Sequence, residues 1–166
     1  MEIDTLQKLY VEELKDLHSA ERQIIQALPK MIKAATNPDL KAAFQEHLEI
    51  TKEHLARLDR IFDKMGKKGT GKKCKGMEGV IADGKELLEQ DMSPEALDAG
   101  LISAAQHVEH YEMAGYGTVR TYAQLLGEKD AAKLLQQTLN EEGDADKKLT
   151  QLAETINVEA EELVSR

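Results

Sequence analysis

The chain has 166 residues, 41% of them hydrophobic and 32% charged, with no Trp, three Pro and a formal net charge of −9. That length and balance fit one domain with a substantial core, and the abundance of Ala, Leu, Glu, Lys and Gln favours helices over strands. The acidic charge opposes a protein that works by covering phosphates, so nucleic acid is an unlikely partner, and no stretch approaches the roughly 18 apolar residues of a membrane span.

From Ile3 to about Ala35, Leu6, Leu9, Leu17, Ala20, Ile24, Leu28 and Met31 keep a helical beat, with Asp4 or Thr5 as N-cap and Pro29 inside the last turns. Turn chemistry follows at Thr36-Asn37-Pro38-Asp39. The second helix runs from about Asp39 to Met65, with Leu40, Phe44, Leu48, Leu55, Leu58 and Phe62 inward, and Gly66 ends it. His47, Thr51 and His54 lie on its inner side.

The tract 64–75 is rich in Gly and Lys and reads as a solvated loop. It is a near miss to a phosphate-binding loop, but Lys73 stands where Ser or Thr is required and a helix precedes where a strand should. Cys74 is the lone cysteine, which rules out an intrachain disulfide. With no charged segment and apolar run at the start, a reducing, cytoplasmic setting is the expectation.

Met77 to Gln90 reads as a short helix, so the link between the second and third long helices is a crossover of about thirty residues. Ser93-Pro94-Glu95 starts the third long helix, which continues to about Leu126. After Gly127 the fourth runs from about Glu128 to Ile156, leaving Asn157 onward as a frayed turn or a short capping helix. Two helical hairpins joined by a long crossover predict an all-α, ferritin-like four-helix bundle in a single domain over 1–166, and such bundles build metal sites from inward carboxylates and histidines.

The stretch Leu101–Tyr122 tests that expectation. Leu101, Ala105, Val108 and Val119 share one helix face, and Glu109 and Glu112 fall in the middle of it. Burying an ionised carboxylate costs several kcal/mol without a partner. Glu112 and Glu142 lie equally far in sequence from the turn at Gly127, and Glu109 and Asp146 nearly so, which places all four at one height in an antiparallel hairpin. Glu21 and His54 are matched in the same way about Asn37. If the hairpins align, Glu21, His54, Glu109, Glu112, Glu142 and Asp146 converge at mid-bundle, an oxygen-rich set suited to two iron ions or two manganese ions.

Other polar residues read more plainly. His47 reads as core packing, Glu13 as an entrance or interface residue, and His18, His107 and His110 as surface. Tyr116 either packs with a satisfied hydroxyl or hydrogen-bonds a ligating carboxylate. Cys74 reads as incidental to its loop.

The segments His107-Val-Glu-His-Tyr-Glu112, Ser19-Ala-Glu21, His47-Leu-Glu and Leu139-Asn-Glu-Glu142 through Asp146 resemble the YciE/YciF family of ferritin-like stress proteins over nearly the whole chain. The resemblance implies a di-iron or di-manganese carboxylate site, a homodimer and a role in stress responses. The chain departs from the wider ferritin-like pattern at Thr51, where a glutamate three residues before His54 is usual, and at Asp146, where the fourth helix usually supplies a histidine. Redox chemistry on O₂ or peroxide is the leading expectation for function, and a non-enzymatic dimeric scaffold is the alternative.

Overall fold

The computed structural model describes residues 3–162, and every regular element among them is helical. Five helices follow in order: α1 Leu6–Ala34, α2 Pro38–Lys64, α3 Lys75–Leu88, α4 Pro94–Leu125 and α5 Lys129–Glu162. None is long and apolar enough to cross a membrane.

The chain starts and stops these helices with short-range chemistry. Thr5 accepts from the Lys8 N–H to open α1, Asn37 accepts from the Asp39 and Leu40 N–H groups to open α2, and Ser93 accepts from the Ala96 N–H ahead of Pro94 in α4. Gly66 and Gly127, at φ 63° and 76°, close α2 and α4 in the left-handed conformation that a Cβ disfavours. Pro29 is exposed, and α1 runs on through it to Ala34. Residues 157–162 neither fray nor form a separate cap, because they continue α5.

α1 packs on α2 and α4 on α5 across these short turns, while α1 also meets α4 and α2 meets α5. The short helix α3 lies against α4 and α1. One apolar cluster gathers Ile24, Leu28, Phe44, Met77, Leu101 and Leu149, and a second gathers Tyr10, Leu14, Leu58, Phe62, Val119 and Leu135. Each long helix feeds both clusters, and apart from Asp98 its buried acids and imidazoles fall in the sequence between the two apolar runs. The polar residues therefore form a layer sandwiched between two oily ones.

Two local contacts hold the frame together. Asp98 on α4 is 3% exposed, and its carboxylate accepts from the Thr36 N–H at 2.8 Å, the Thr36 hydroxyl at 2.5 Å and the Asn37 N–H at 2.8 Å, tying the α1–α2 turn to α4. At Gly115 a Cβ would lie 2.7 Å from Leu17 Cδ2, so the missing side chain lets α1 and α4 approach closely.

The tract expected to be a solvated loop is anchored at both ends. Gly69 is buried, and a Cβ there would come within 2.6 Å of His18 Cδ2. This packing corrects the placement of His18 at the surface: it is 5% exposed, edge-on to Phe62, with Nε2 2.9 Å from Asp59 Oδ1. Cys74 is 2% exposed rather than incidental. It is the N-cap of α3, its backbone N–H donates to Ser19 Oγ, and its Sγ sits 3.1 Å from the Tyr111 hydroxyl.

Asp98→Ala would strand two backbone N–H groups at the α1–α2 turn, each costing about 1–3 kcal/mol. A loss of about 3 kcal/mol in urea unfolding, with the m-value unchanged, is the expected result.

Candidate metal centre

The periodicity of α1, α2, α4 and α5 aims Glu21, His47, His54, Glu109, Glu112 and Glu142 into the polar layer, and all of them are buried. They form two groups whose donor atoms lie within 4.8 Å of one another. His47, Glu109, Glu112 and Glu142 make the first, and Glu21, His54 and Glu142 the second. Glu142 belongs to both.

Distances define the contacts. His47 Nε2 is 3.0 Å from Glu109 Oε1, and His54 Nδ1 is 2.8 Å from Glu142 Oε1 and 3.5 Å from Glu21 Oε1. None of these approaches has hydrogen-bond alignment. Both oxygens of Glu112 and Glu142, one each of Glu21 and Glu109, both ring nitrogens of His47 and Nδ1 of His54 are buried without a hydrogen-bond partner. Groups of this kind normally find partners, and a set of unpartnered donors facing one another could hold a cation.

An outer set of side chains holds the inner one. Arg57 clamps Glu141 with Nη1 2.6 Å from Oε2 and Nη2 3.0 Å from Oε1, and also donates to Thr138. His54 Nε2 lies 2.9 Å from the same Glu141 carboxylate. Burial opposes charge on Glu141, but hydrogen bonds from Arg57, Gln137 and His54 outweigh it and hold the carboxyl below its usual range. An ionised Glu141 can only accept, so the Nε2 proton of His54 points at it and Nδ1 faces the acids. Tyr116, 1% exposed, donates its hydroxyl to Glu21, which is the second of the two roles that the sequence left open for it.

Electrostatics in the layer are lopsided. Burial, followed by the charge of Glu142, pushes Glu109 and Glu112 well above the carboxylate range. Burial raises Glu21 as well. Burial opposes charge on Glu142 too, but the adjacent Glu109 carboxyl and the His54 and His47 imidazoles outweigh it and bring the group to about 2. Burial pulls His54 down, but Glu142 and Glu21 overcome it and lift the imidazole to about 10. Burial lowers His47.

Five of the six residues expected to converge are brought together, and Asp146 is not. Four residues past Glu142 overshoots a full return to the same face by about 40°, and an aspartate reaches less far than a glutamate. Its Oδ1 sits instead 3.2 Å from both Gln106 Nε2 and the exposed His110 Nε2. His47 joins the first group in contrast to its reading as core packing. Thr51 is buried but turns its hydroxyl to the His47 carbonyl, so it contributes no donor to either group. The sequence carried a signal for His47: it lies two turns from His54 on nearly the same face. Glu13 is half-buried and outside both groups, and His107 and His110 are exposed as expected.

Residues 5–161 match the family model described as a domain of unknown function, DUF892. The chain belongs to the DUF892 family. Within reach of that family, it is 43% identical to Protein YciF of Escherichia coli (strain K12) over 163 residues, 97% of this chain and 98% of that protein. The crystal structure of YciF, described as a stress protein, superimposes with a TM-score of 0.90 at 42% identity, covering 93% of this chain and 98% of the other. YcfI of Rhodopseudomonas palustris, provisionally described as a structural protein, matches with a TM-score of 0.87 at 42% identity over 90% of this chain and 95% of its own.

The ionisation pattern sets the pH response of protein stripped of metal. Glu109 and Glu112 ionise above their unfolded value of 4.5, so their stabilising contribution is complete below 4.5 and is lost as pH rises. His54, raised from 6.5 to about 10, adds stability that is complete below 6.5 and lost on the way to 10. Glu142, lowered to about 2, acts only on the acid side of 4.5. Chelator-treated protein is expected to melt at progressively lower temperature as pH rises from about 6 to 9, read by circular dichroism. A flat or rising Tm over that range would contradict this account of the layer.

Proposed function

We propose that the chain is a ferritin-like four-helix bundle whose polar layer holds two iron or two manganese ions and reacts with O₂ or a peroxide. The observation that carries this reading is the pair of buried donor groups sharing Glu142, with their oxygens and nitrogens unpartnered. Glu21, Glu109, Glu112 and Glu142 carry four negative charges when ionised, which two divalent cations balance. His47, Glu109 and Glu112 would hold one ion and Glu21 and His54 the other, with Glu142 between them.

When bound, such a pair supplies one-electron redox steps and a Lewis-acidic seat for an oxygen ligand. The chain's own residues do the rest. Glu141, fixed by Arg57, holds the His54 ring in the orientation that leaves Nδ1 free for a ligand bond. Tyr116 keeps a proton on its hydroxyl, since burial raises it well above the phenol range, and hands a hydrogen bond to Glu21. The apolar clusters flank the layer on two sides, and Glu109, Glu112 and His54 would give up their protons where a cation is held.

A homodimer and a cytoplasmic setting, with a role in stress like that of YciF, belong to the same proposal. The second reading is a non-enzymatic scaffold with a structural metal, favoured by the provisional description of YcfI.

Elemental analysis of full-length protein purified without chelator is expected to give roughly two ions per chain. Glu142→Ala should remove both, Asp146→Ala should leave both, and Glu141→Ala should weaken binding by roughly 10–100-fold. Peroxide consumption and ferrous oxidation by the loaded protein then separate the readings: metal with turnover is the enzyme, metal without turnover is the scaffold. Absence of bound iron and manganese after reconstitution would defeat the proposal.

A further inference from the structure

The polar layer has a neighbour that the metal reading does not use. A cavity of about 270 Å³ opens beside it, lined by parts of all four long helices and by α3. Its walls are mostly apolar, from Ile24, Leu28, Phe44, Ile81, Val108 and Leu149 among others. At one place they are not: His47 and Glu109, 9% and 2% exposed, contribute to the lining, and both carry buried polar atoms without a partner. The cavity thus runs from solvent to the first donor group.

Its outer rim is charged. Glu46 pairs with Lys148, Asp144 pairs with Lys147, and Glu141 is held by Arg57, which satisfies the three rim carboxylates. Lys30 and Lys85 stand on the same rim, exposed, and make no ion pair among the described residues. Two uncommitted ammonium groups over an apolar hole select an anion with an oily body. An apolar cavity of about 150 Å³ accepts benzene and stays dry, so a larger one of this lining favours hydrocarbon over water.

We propose that this cavity binds a free medium-chain alkyl carboxylate, with its head at Lys30 and Lys85 and its tail directed toward His47 and Glu109. Orientation follows from charge. Without cations the inner end crowds Glu109, Glu112 and Glu142 together, where a fourth carboxylate would be repelled or forced to take up a proton, and with cations bound these acids already supply the balancing charge. The rim offers cations in water, where the head keeps much of its hydration. The inference deepens the dinuclear reading and rests on it in one respect: it makes the distal methylenes the part of the ligand nearest the proposed centre. Binding itself needs only the cavity.

The test is calorimetric titration of the full chain with decanoate, butyrate and decanol, on protein stripped of metal and on protein loaded with Mn²⁺. Decanoate should bind, and butyrate should not. Reversing both rim charges, Lys30→Glu with Lys85→Glu, should weaken decanoate by roughly tenfold while leaving decanol unchanged. Ala145→Leu should abolish binding of both by filling the cavity. Gly84→Leu gives the same test from α3, where a Cβ would meet only Ala104 Cβ at an ordinary 3.5 Å.

In the Mn²⁺ form, paramagnetic broadening of decanoate should be greater at the terminal methyl than at the methylene beside the carboxylate. Broadening in the reverse order, binding that ignores chain length, or full binding by both filled variants would overturn the proposal. So would a stable dimer, seen by analytical ultracentrifugation, that excludes decanoate until it is dissociated. Should the protein take up neither Mn²⁺ nor Fe²⁺, the dinuclear reading fails, and titration of the stripped protein and its filled variants still decides whether the cavity is an alkyl carboxylate site.

Discussion

Buried like charge is the constraint on which this structure depends. Glu21, Glu109, Glu112 and Glu142 are each 2% exposed or less, and the positive groups facing them are one strongly basic imidazole and one weakly basic one. An effective penalty of several kcal/mol for each uncompensated ion exceeds what any single apolar contact returns. The chain meets that penalty by protonation when no cation is present, which is why Glu109 and Glu112 are pushed up while Glu142 stays ionised against His54.

The oily layers and the polar one are interdependent. Each long helix carries an apolar run, a polar interruption and a second apolar run, so the register of the helices is set by matching the interruptions. A helix sliding by one turn would drive a carboxylate against leucine. Asp98 and Gly127 then hold the two turns from which that register is measured. Arg57 and Glu141 perform the corresponding task within the layer, where they fix one ring rather than a whole helix.

Much of this was legible in the sequence because helical phase and distance from a turn are arithmetic. Glu109, Glu112 and Glu142 could be placed at one height from Gly127 alone, and Thr5, Ser93 and Gly66 announced helix ends by their chemistry. What phase could not convey was reach. Asp146 has the right height but a short side chain and an angular offset, and so falls to Gln106 and His110. His47 lies two turns from His54, and Glu142 spans the two groups and brings both imidazoles within one layer. The tract around Gly69 and Cys74 was opaque for another reason: its composition is that of a loop in water, and only the close fit of a glycine on His18 and of a thiol on Tyr111 shows that it is a lid on the core.

The position of Glu142 in both donor groups carries a thermodynamic corollary for the proposed centre. Occupants that draw on one carboxylate are not independent tenants: whatever the first gains by polarising Glu142 the second must forgo, while the first arrival also displaces protons that would have resisted the second. Uptake curves for this protein would then depart from a sum of two simple isotherms, and replacing Glu142 by an acid of different length would alter how strongly the steps are linked as well as each step's strength.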